Sequence, residues 1–175
     1  MSVMITRVSR TTILSALLLS AVASVPACAQ SASGSVVRHA TGKFPIASAI
    51  EVPPGFTTIY LSGMGADPLD KTAKPMPMTL DAYGDTETQV KSALTKIQGA
   101  LAGLHLTMAD VVQMHMYIVA DPKLGKIDFA GMMKSYTQFF GTASQPNLPT
   151  RSAFQVAGLA NPGWLIEIEV TAVRK

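Results

Sequence analysis

Thr86–Val119 reads TETQVKSALTKIQGALAGLHLTMADVVQMHMYIV, and its two halves follow different periods. Val90, Leu94, Ile97, Leu101 and Leu104 recur at steps of four and three, which predicts a helix with one apolar stripe. Thr86 with Gln89 three residues on has the form of a capping box. Asp85 and Glu87 sit at the positive end of the helix dipole, and Gly103 suits the other end. Val111–Val119 instead alternates. Val112, Met114, Met116 and Ile118 share one face, and Gln113, His115 and Tyr117 share the other. The two methionines read as flexible core filling. A helix followed by a half-buried strand is the unit of a layered α+β fold.

The flanking segments repeat that theme. Upstream, Val36–Ala40, Ala47–Val52 and Thr58–Met64 read as strands, separated by Gly42 and by the turn Pro53-Pro54-Gly55. Ala66–Gly84 is then a long loop carrying Pro68, Pro75 and Pro77; loops of this length are often functional or mobile. Downstream, Phe129–Phe140 predicts a second helix, with Asp128 as N-cap and Phe129, Met132, Met133, Tyr136 and Phe140 turned inward. Arg151–Val156 and Leu165–Val173 read as strands joined by Asn161-Pro162-Gly163. The order β-β-β-α-β-α-β-β implies an α+β fold, two helices covering one face of a mixed sheet.

The 175 residues suffice for one domain with a real core, and a single cysteine excludes a disulfide scaffold. Residues 1–29 read as a signal peptide. Arg7 and Arg10 form a positive start, Thr12–Val25 is apolar and small, and Ala27-Cys28-Ala29 precedes a cleavage point at about Ala29/Gln30. Cleavage implies a periplasmic or secreted protein; the alternatives are lipidation at Cys28 and a buried N-terminal helix. Residues 30–43 read as a flexible leader and first strand, and 44–175 as a single domain. Without Arg7 and Arg10 the 14 Lys+Arg fall to 12 against 11 Asp+Glu, and the net charge falls from +3 to +1. No basic cluster is left for nucleic acid, and no membrane contact is expected of the mature form unless Cys28 is lipidated. With only 14% of residues charged, some surface is expected to be covered by another subunit.

His39, His105 and His115 are scattered, without the spacing of a metal site, and no Gly-rich turn opens a helix for a dinucleotide. Nor does a G-x-S-x-G elbow supply a nucleophile. No cofactor is implied. The C-terminal strands are more informative. Ile166, Ile168, Val170 and Ala172 share one face, and Glu167, Glu169 and Thr171 the other; Arg151, Ala153 and Gln155 share a face of their own strand. If the two strands are neighbours, Arg151 and a glutamate line one surface. A guanidinium there would hold a carboxylate by a bidentate pair, and a glutamate could orient a water. The same pattern also suits a structural Arg–Glu ion pair across an interface.

Ser62-Gly63, Gly84-Asp85-x-x-x-Gln89, Ala109-Asp110-Val111-Val112 and Tyr136-x-x-Phe139-Phe140 occur in order. Pro149-Thr150-Arg151-Ser152, Gln155-Val156-Ala157-x-Leu159 and Ile166-Glu167-Ile168-Glu169 follow them. Together, from about Phe44 to Lys175, they resemble the RidA/YjgF family of enamine/imine deaminases. The resemblance implies a chorismate-mutase-like fold and a homotrimer with three clefts between subunits. It also implies a ligand carboxylate held by Arg151 and an attacking water positioned by Glu167. The cleft positions of the family fall on Ile46 and Ser48 in Phe44-Pro45-Ile46-Ala47-Ser48, on Met64, on Met133 and on Ala153. Ile46 replaces a usual tyrosine, Met64 a glutamine, Ala153 a frequent cysteine and Met133 an asparagine. The loop Gly65–Tyr83 is longer than is typical.

Two functions follow. In one, the trimer hydrolyses reactive 2-enamino or 2-imino acids to 2-keto acids and ammonia. In the other, the same cleft of an exported trimer binds small carboxylates without turnover. Ribonuclease activity, also attached to this family, has little support from a mature charge of +1.

Overall fold

The computed structural model describes residues 34–175. The expected signal peptide and cleavage point, Cys28 and the first part of the expected leader lie outside the described residues. The strands are β1 (Val37–Thr41), β2 (Phe44–Glu51), β3 (Thr57–Gly65), β4 (Val111–Val119), β5 (Thr150–Val156) and β6 (Ile166–Arg174). Helix α1 spans Thr86–Gly103 and α2 spans Phe129–Phe139, so the order is the expected β-β-β-α-β-α-β-β. β3, β6, β4 and β5 form one sheet in that spatial order; β4 and β5 run parallel and the other pairs antiparallel. β1 and β2 pair with each other as a separate antiparallel ribbon.

The core lies between the helices and one face of the four-stranded sheet. Val90, Leu94, Ile97 and Leu101 of α1 and Met132 and Tyr136 of α2 are fully buried. They pack with Met114, Met116, Ile118, Ile166, Ile168 and Ala172 from the sheet. Two helical stripes of period 3.6 thus close over two strand faces of period 2, and apolar burial drives the contact.

Several local expectations change. Leu104 is exposed because α1 stops at Gly103, and Leu106 enters the core in its place. Gly103 does not make the left-handed exit. His105 does, at φ 58°; its N–H bonds Ala102 O at 3.0 Å and that of Leu106 bonds Leu101 O at 2.8 Å. Those are the two bonds of a Schellman ending. At the other end no capping box forms. Asp85 is the N-cap, accepting from the Thr88 N–H at 2.9 Å, while Thr86 is buried with its hydroxyl unpartnered. Phe129 does not turn inward; it is 40% exposed at the first position of α2.

Gln89 has a different task from capping. Its amide nitrogen donates to Gly84 O at 3.0 Å and Gly163 O at 3.1 Å, and its oxygen accepts from the Leu165 N–H at 2.8 Å. This buried amide ties the start of α1 to the start of β6. The long loop is fixed nearby. Tyr83 is fully buried and its hydroxyl donates to Pro77 O at 2.7 Å, and the Asn161 amide donates to both groups.

β5 and β6 are not neighbours, because β4 lies between them. The burial explains the placement. β6 hides Ile166, Ile168, Val170 and Ala172 and suits an interior position, whereas Ser152, Phe154 and Gln155 leave β5 exposed enough for an edge.

Gln89→Leu leaves the Leu165 N–H and the Gly163 carbonyl buried without partners. The unfolding free energy in denaturant titration is expected to fall by roughly 2–4 kcal/mol. Asp85→Ala, which removes one cap bond, is expected to cost about 1 kcal/mol.

Candidate functional site

Arg151 is the second residue of edge strand β5, two after Pro149, and three connections fix its surroundings. The Ala47 N–H bonds Pro149 O at 2.9 Å, which holds β2 against the start of β5. The Tyr136 hydroxyl donates to Pro45 O at 2.8 Å, joining α2 to β2. Arg38 is half-buried and donates to Val111 O at 3.0 Å, Leu148 O at 2.7 Å and Ala109 O at 2.9 Å, so β1 staples the segment leading into β5 to the start of β4. Burial pushes the Arg38 guanidinium below its usual range, with Asp110 opposing. No sequence signal singled out Arg38, because a cation satisfied by three backbone carbonyls has no partner residue to pair it with.

The Arg151 side chain is half-buried among aromatic rings. Its guanidinium carbon lies 4.3 Å from the centroid of Tyr136, 5.5 Å from Phe44 and 5.9 Å from Phe129. Its Nη1 donates to Met133 Sδ at 3.2 Å, a weak acceptor. No carboxylate pairs with Arg151 among the described residues. Burial lowers the Arg151 pKa, with Tyr136 opposing; burial likewise pushes Tyr136 up to about 12, with Arg151 opposing. The guanidinium keeps its proton at neutral pH, and the phenol stays neutral. A cleft of about 370 Å³ runs from Arg151 around the start of β5, lined also by Ile46, Ser48, Gln113, His115 and Ser152.

Sequence reasoning places seven side chains in the site, and the chain brings four of them together: Arg151, Ile46, Ser48 and Met133. The Ser48 hydroxyl is directed locally, donating to His39 O at 3.2 Å. Ala153 lies two residues along β5 from Arg151, packed on the core opposite Met116. Met64 lies on β3, at the far edge of the sheet, opposite Ile168 and against the core. Phe44 and Phe129 were not identified as site residues. Their signal was an aromatic at the first position of each element, where the helix period or strand alternation does not settle which way a side chain faces.

Glu167 is on the other side of the sheet. Arg151 aligns with Met114, which faces the core, whereas Glu167 aligns with Tyr117 on the face without helices. Arg151 and the glutamates therefore do not line one surface of a single chain. Strand parity and the intervening β4 both prevent it. The Glu167 carboxylate fills the space a Cβ on Gly63 would take, which explains the glycine after Ser62: a side chain there would displace the carboxylate. Among the described residues no donor bonds Glu167.

Glu169, two residues on, is paired within the chain. It lies 2.7 Å from His115 Nδ1 and accepts from the Tyr117 hydroxyl at 3.0 Å. The His115 bond, seconded by Tyr117, holds the Glu169 carboxyl below the usual range, and the same carboxylate pushes Tyr117 up. Phe154 stacks on Tyr117 with centroids 6.0 Å apart and meets His115 edge-on at 5.9 Å. This open face is therefore aromatic as well as charged, with Tyr60 79% and Phe154 46% exposed. No group of three or more His, Cys, Asp or Glu that could hold a metal ion occurs among the described residues.

Comparison with known proteins agrees with this architecture. No curated protein matches the chain. Among solved structures, Escherichia coli TdcF with bound serine is 27% identical with a TM-score of 0.53, over 79% of this chain and 94% of that one. The Escherichia coli YjgF gene product is 25% identical with a TM-score of 0.52, over 79% and 93%. A Rid-family protein of unknown function from Yersinia pestis, YyfB, shares the fold at 24% identity and a TM-score of 0.57, over 74% and 87%. The family model described as endoribonuclease L-PSP matches residues 56–174. The chain belongs to that family, the RidA/YjgF group whose motifs its sequence carries.

Proposed function

We propose that this protein hydrolyses small 2-imino or 2-enamino acids to 2-keto acids and ammonia in clefts formed between the subunits of a homotrimer. One observation carries the reading: Arg151 is a half-buried cation with no carboxylate partner among the described residues, at the wall of a cleft. Partial burial of an unpaired guanidinium is costly, and a bidentate ligand carboxylate would offset that cost. The serine bound by TdcF is a small carboxylate, which supports the same ligand class.

Chemistry would then proceed at the carbon next to the held carboxylate. Water adds to the C=N carbon, the nitrogen takes up protons, and the tetrahedral carbon expels ammonia as the C=O bond forms. Glu167, which no donor bonds among the described residues, would orient that water and accept its proton. Since Arg151 and Glu167 lie on opposite faces of one sheet, the reading requires Glu167 from a neighbouring copy. The exposed Tyr60 and Phe154 support a covered open face.

Binding without turnover is the second reading. Ile46, Met64, Met133 and Ala153 favour it, since apolar groups stand where the family usually has polar ones. The N-terminal pattern supports export, placing either function outside the cytoplasm. The family description names an endoribonuclease, but a mature charge of +1 offers little hold on a phosphate chain.

Sedimentation of the processed chain at micromolar concentration is expected to give a trimer; a clean monomer would remove the cleft. With enzymatically generated 2-imino acids, wild type is expected to release ammonia. Arg151→Ala should weaken ligand binding by about 1.5–3 kcal/mol, and Arg151→Lys should already fall short because an ammonium cannot reproduce the fork. Glu167→Gln should keep ligand affinity and lower turnover by about 10²-fold or more. Gly63→Ala, which pushes the carboxylate aside, should follow Glu167→Gln in turnover while keeping the fold. Affinity retained with no ammonia release from the wild type would select the binding reading.

A further inference from the structure

Two phenyl rings stay partly in solvent beside Arg151, which pairs with no carboxylate among the described residues. Phe44 is 42% and Phe129 40% exposed, with ring centroids 5.5 and 5.9 Å from the Arg151 guanidinium carbon. They come from different parts of the chain: Phe44 opens β2 and Phe129 opens α2. Tyr136, fully buried at 4.3 Å, forms the floor beneath the guanidinium. Met133, with Sδ 3.2 Å from Nη1, and Ile46 complete an apolar surround.

A ligand that only supplied a carboxylate would occupy the guanidinium and leave both rings wet. A ligand whose carboxylate is attached to an aromatic or large apolar side chain would satisfy the cation and cover the rings at once. Aromatic groups gain further from edge and offset contacts with phenyl rings. A few polar anchors within apolar walls are also the usual composition of a selective small-molecule site.

We propose that the site at Arg151 selects carboxylates bearing an aromatic or large branched side chain, with Phe44 and Phe129, the rings that flank its guanidinium, as the specificity-determining groups. The substrates would be the 2-imino acids of arylalanine and branched-chain type, and the products the matching 2-keto acids. The proposal rests on the carboxylate role of Arg151 and adds the side-chain class.

Calorimetric titration of the protein with phenylpyruvate, 4-methyl-2-oxopentanoate and pyruvate tests it. Phenylpyruvate is expected to bind at least about tenfold more tightly than pyruvate, with the branched acid between them. In Phe44→Ala/Phe129→Ala that ratio should fall to within about threefold of unity while Arg151→Ala weakens all three ligands. Thermal unfolding of each variant checks that the fold persists, and the wild-type ratio needs no variant at all. Equal wild-type affinities would overturn the selectivity and leave the carboxylate reading standing. Binding of none of the three, or binding unaffected by Arg151→Ala, would overturn both.

Discussion

A guanidinium held partly out of water, with no opposing carboxylate among the described residues, is the constraint around which the site is built. Tyr136 makes it tolerable. Its ring lies 4.3 Å from the Arg151 guanidinium carbon, and a desolvated cation over an aromatic face gains about 2 kcal/mol. The same tyrosine uses its hydroxyl on Pro45 O, so the ring that steadies the cation also anchors β2. Arg38 works alongside through backbone carbonyls, fixing the segment from which β5 begins. Core, ribbon and edge strand thus converge on one positive charge that faces a cleft.

The second constraint is strand parity. Because side chains alternate, one sheet cannot put Met114 in the core and Tyr117 in the same layer, and their neighbours Arg151 and Glu167 inherit the separation. A single chain therefore holds the Arg151 guanidinium on one side and, on the other, a Glu167 carboxylate that no donor bonds among the described residues. Gly63 keeps the second one in place by having no side chain. Glu169 is already engaged with His115 and Tyr117, which distinguishes two glutamates that look equivalent in Ile166-Glu167-Ile168-Glu169.

Much of this was legible in the sequence where a period runs long enough. The alternation of Val111–Val119 and the stripe from Val90 to Leu101 gave the layers and their inward faces, and Asp128 was rightly read as a cap. What failed was decided by contacts between distant residues. Strand order is one case: nothing in Arg151–Val156 or Leu165–Val173 says that β4 will lie between them. Helix ends are another, because Asp85 and Thr86 both suit a cap, and the demand of Gly163 and Leu165 for Gln89 settles the choice. Phe129 failed for a third reason. At the first turn of a helix the apolar period does not fix direction, and here the ring lies beside the Arg151 guanidinium and not in the core. Strand alternation points to Arg151 and a glutamate, and the resemblance selects Glu167; their opposite faces are not visible without the sheet.

The most direct measurement of the central claim, that one cleft draws Arg151 from one copy and Glu167 from another, is subunit complementation. Arg151→Ala and Glu167→Gln chains, carrying different tags, are each purified, mixed under conditions that allow exchange, and assayed for ammonia release from 2-imino acids. If the two residues act from different copies, each variant is strongly impaired alone, and random mixing restores about one quarter of the clefts to the wild-type pair. Co-purification of both tags with no recovered activity would contradict the account.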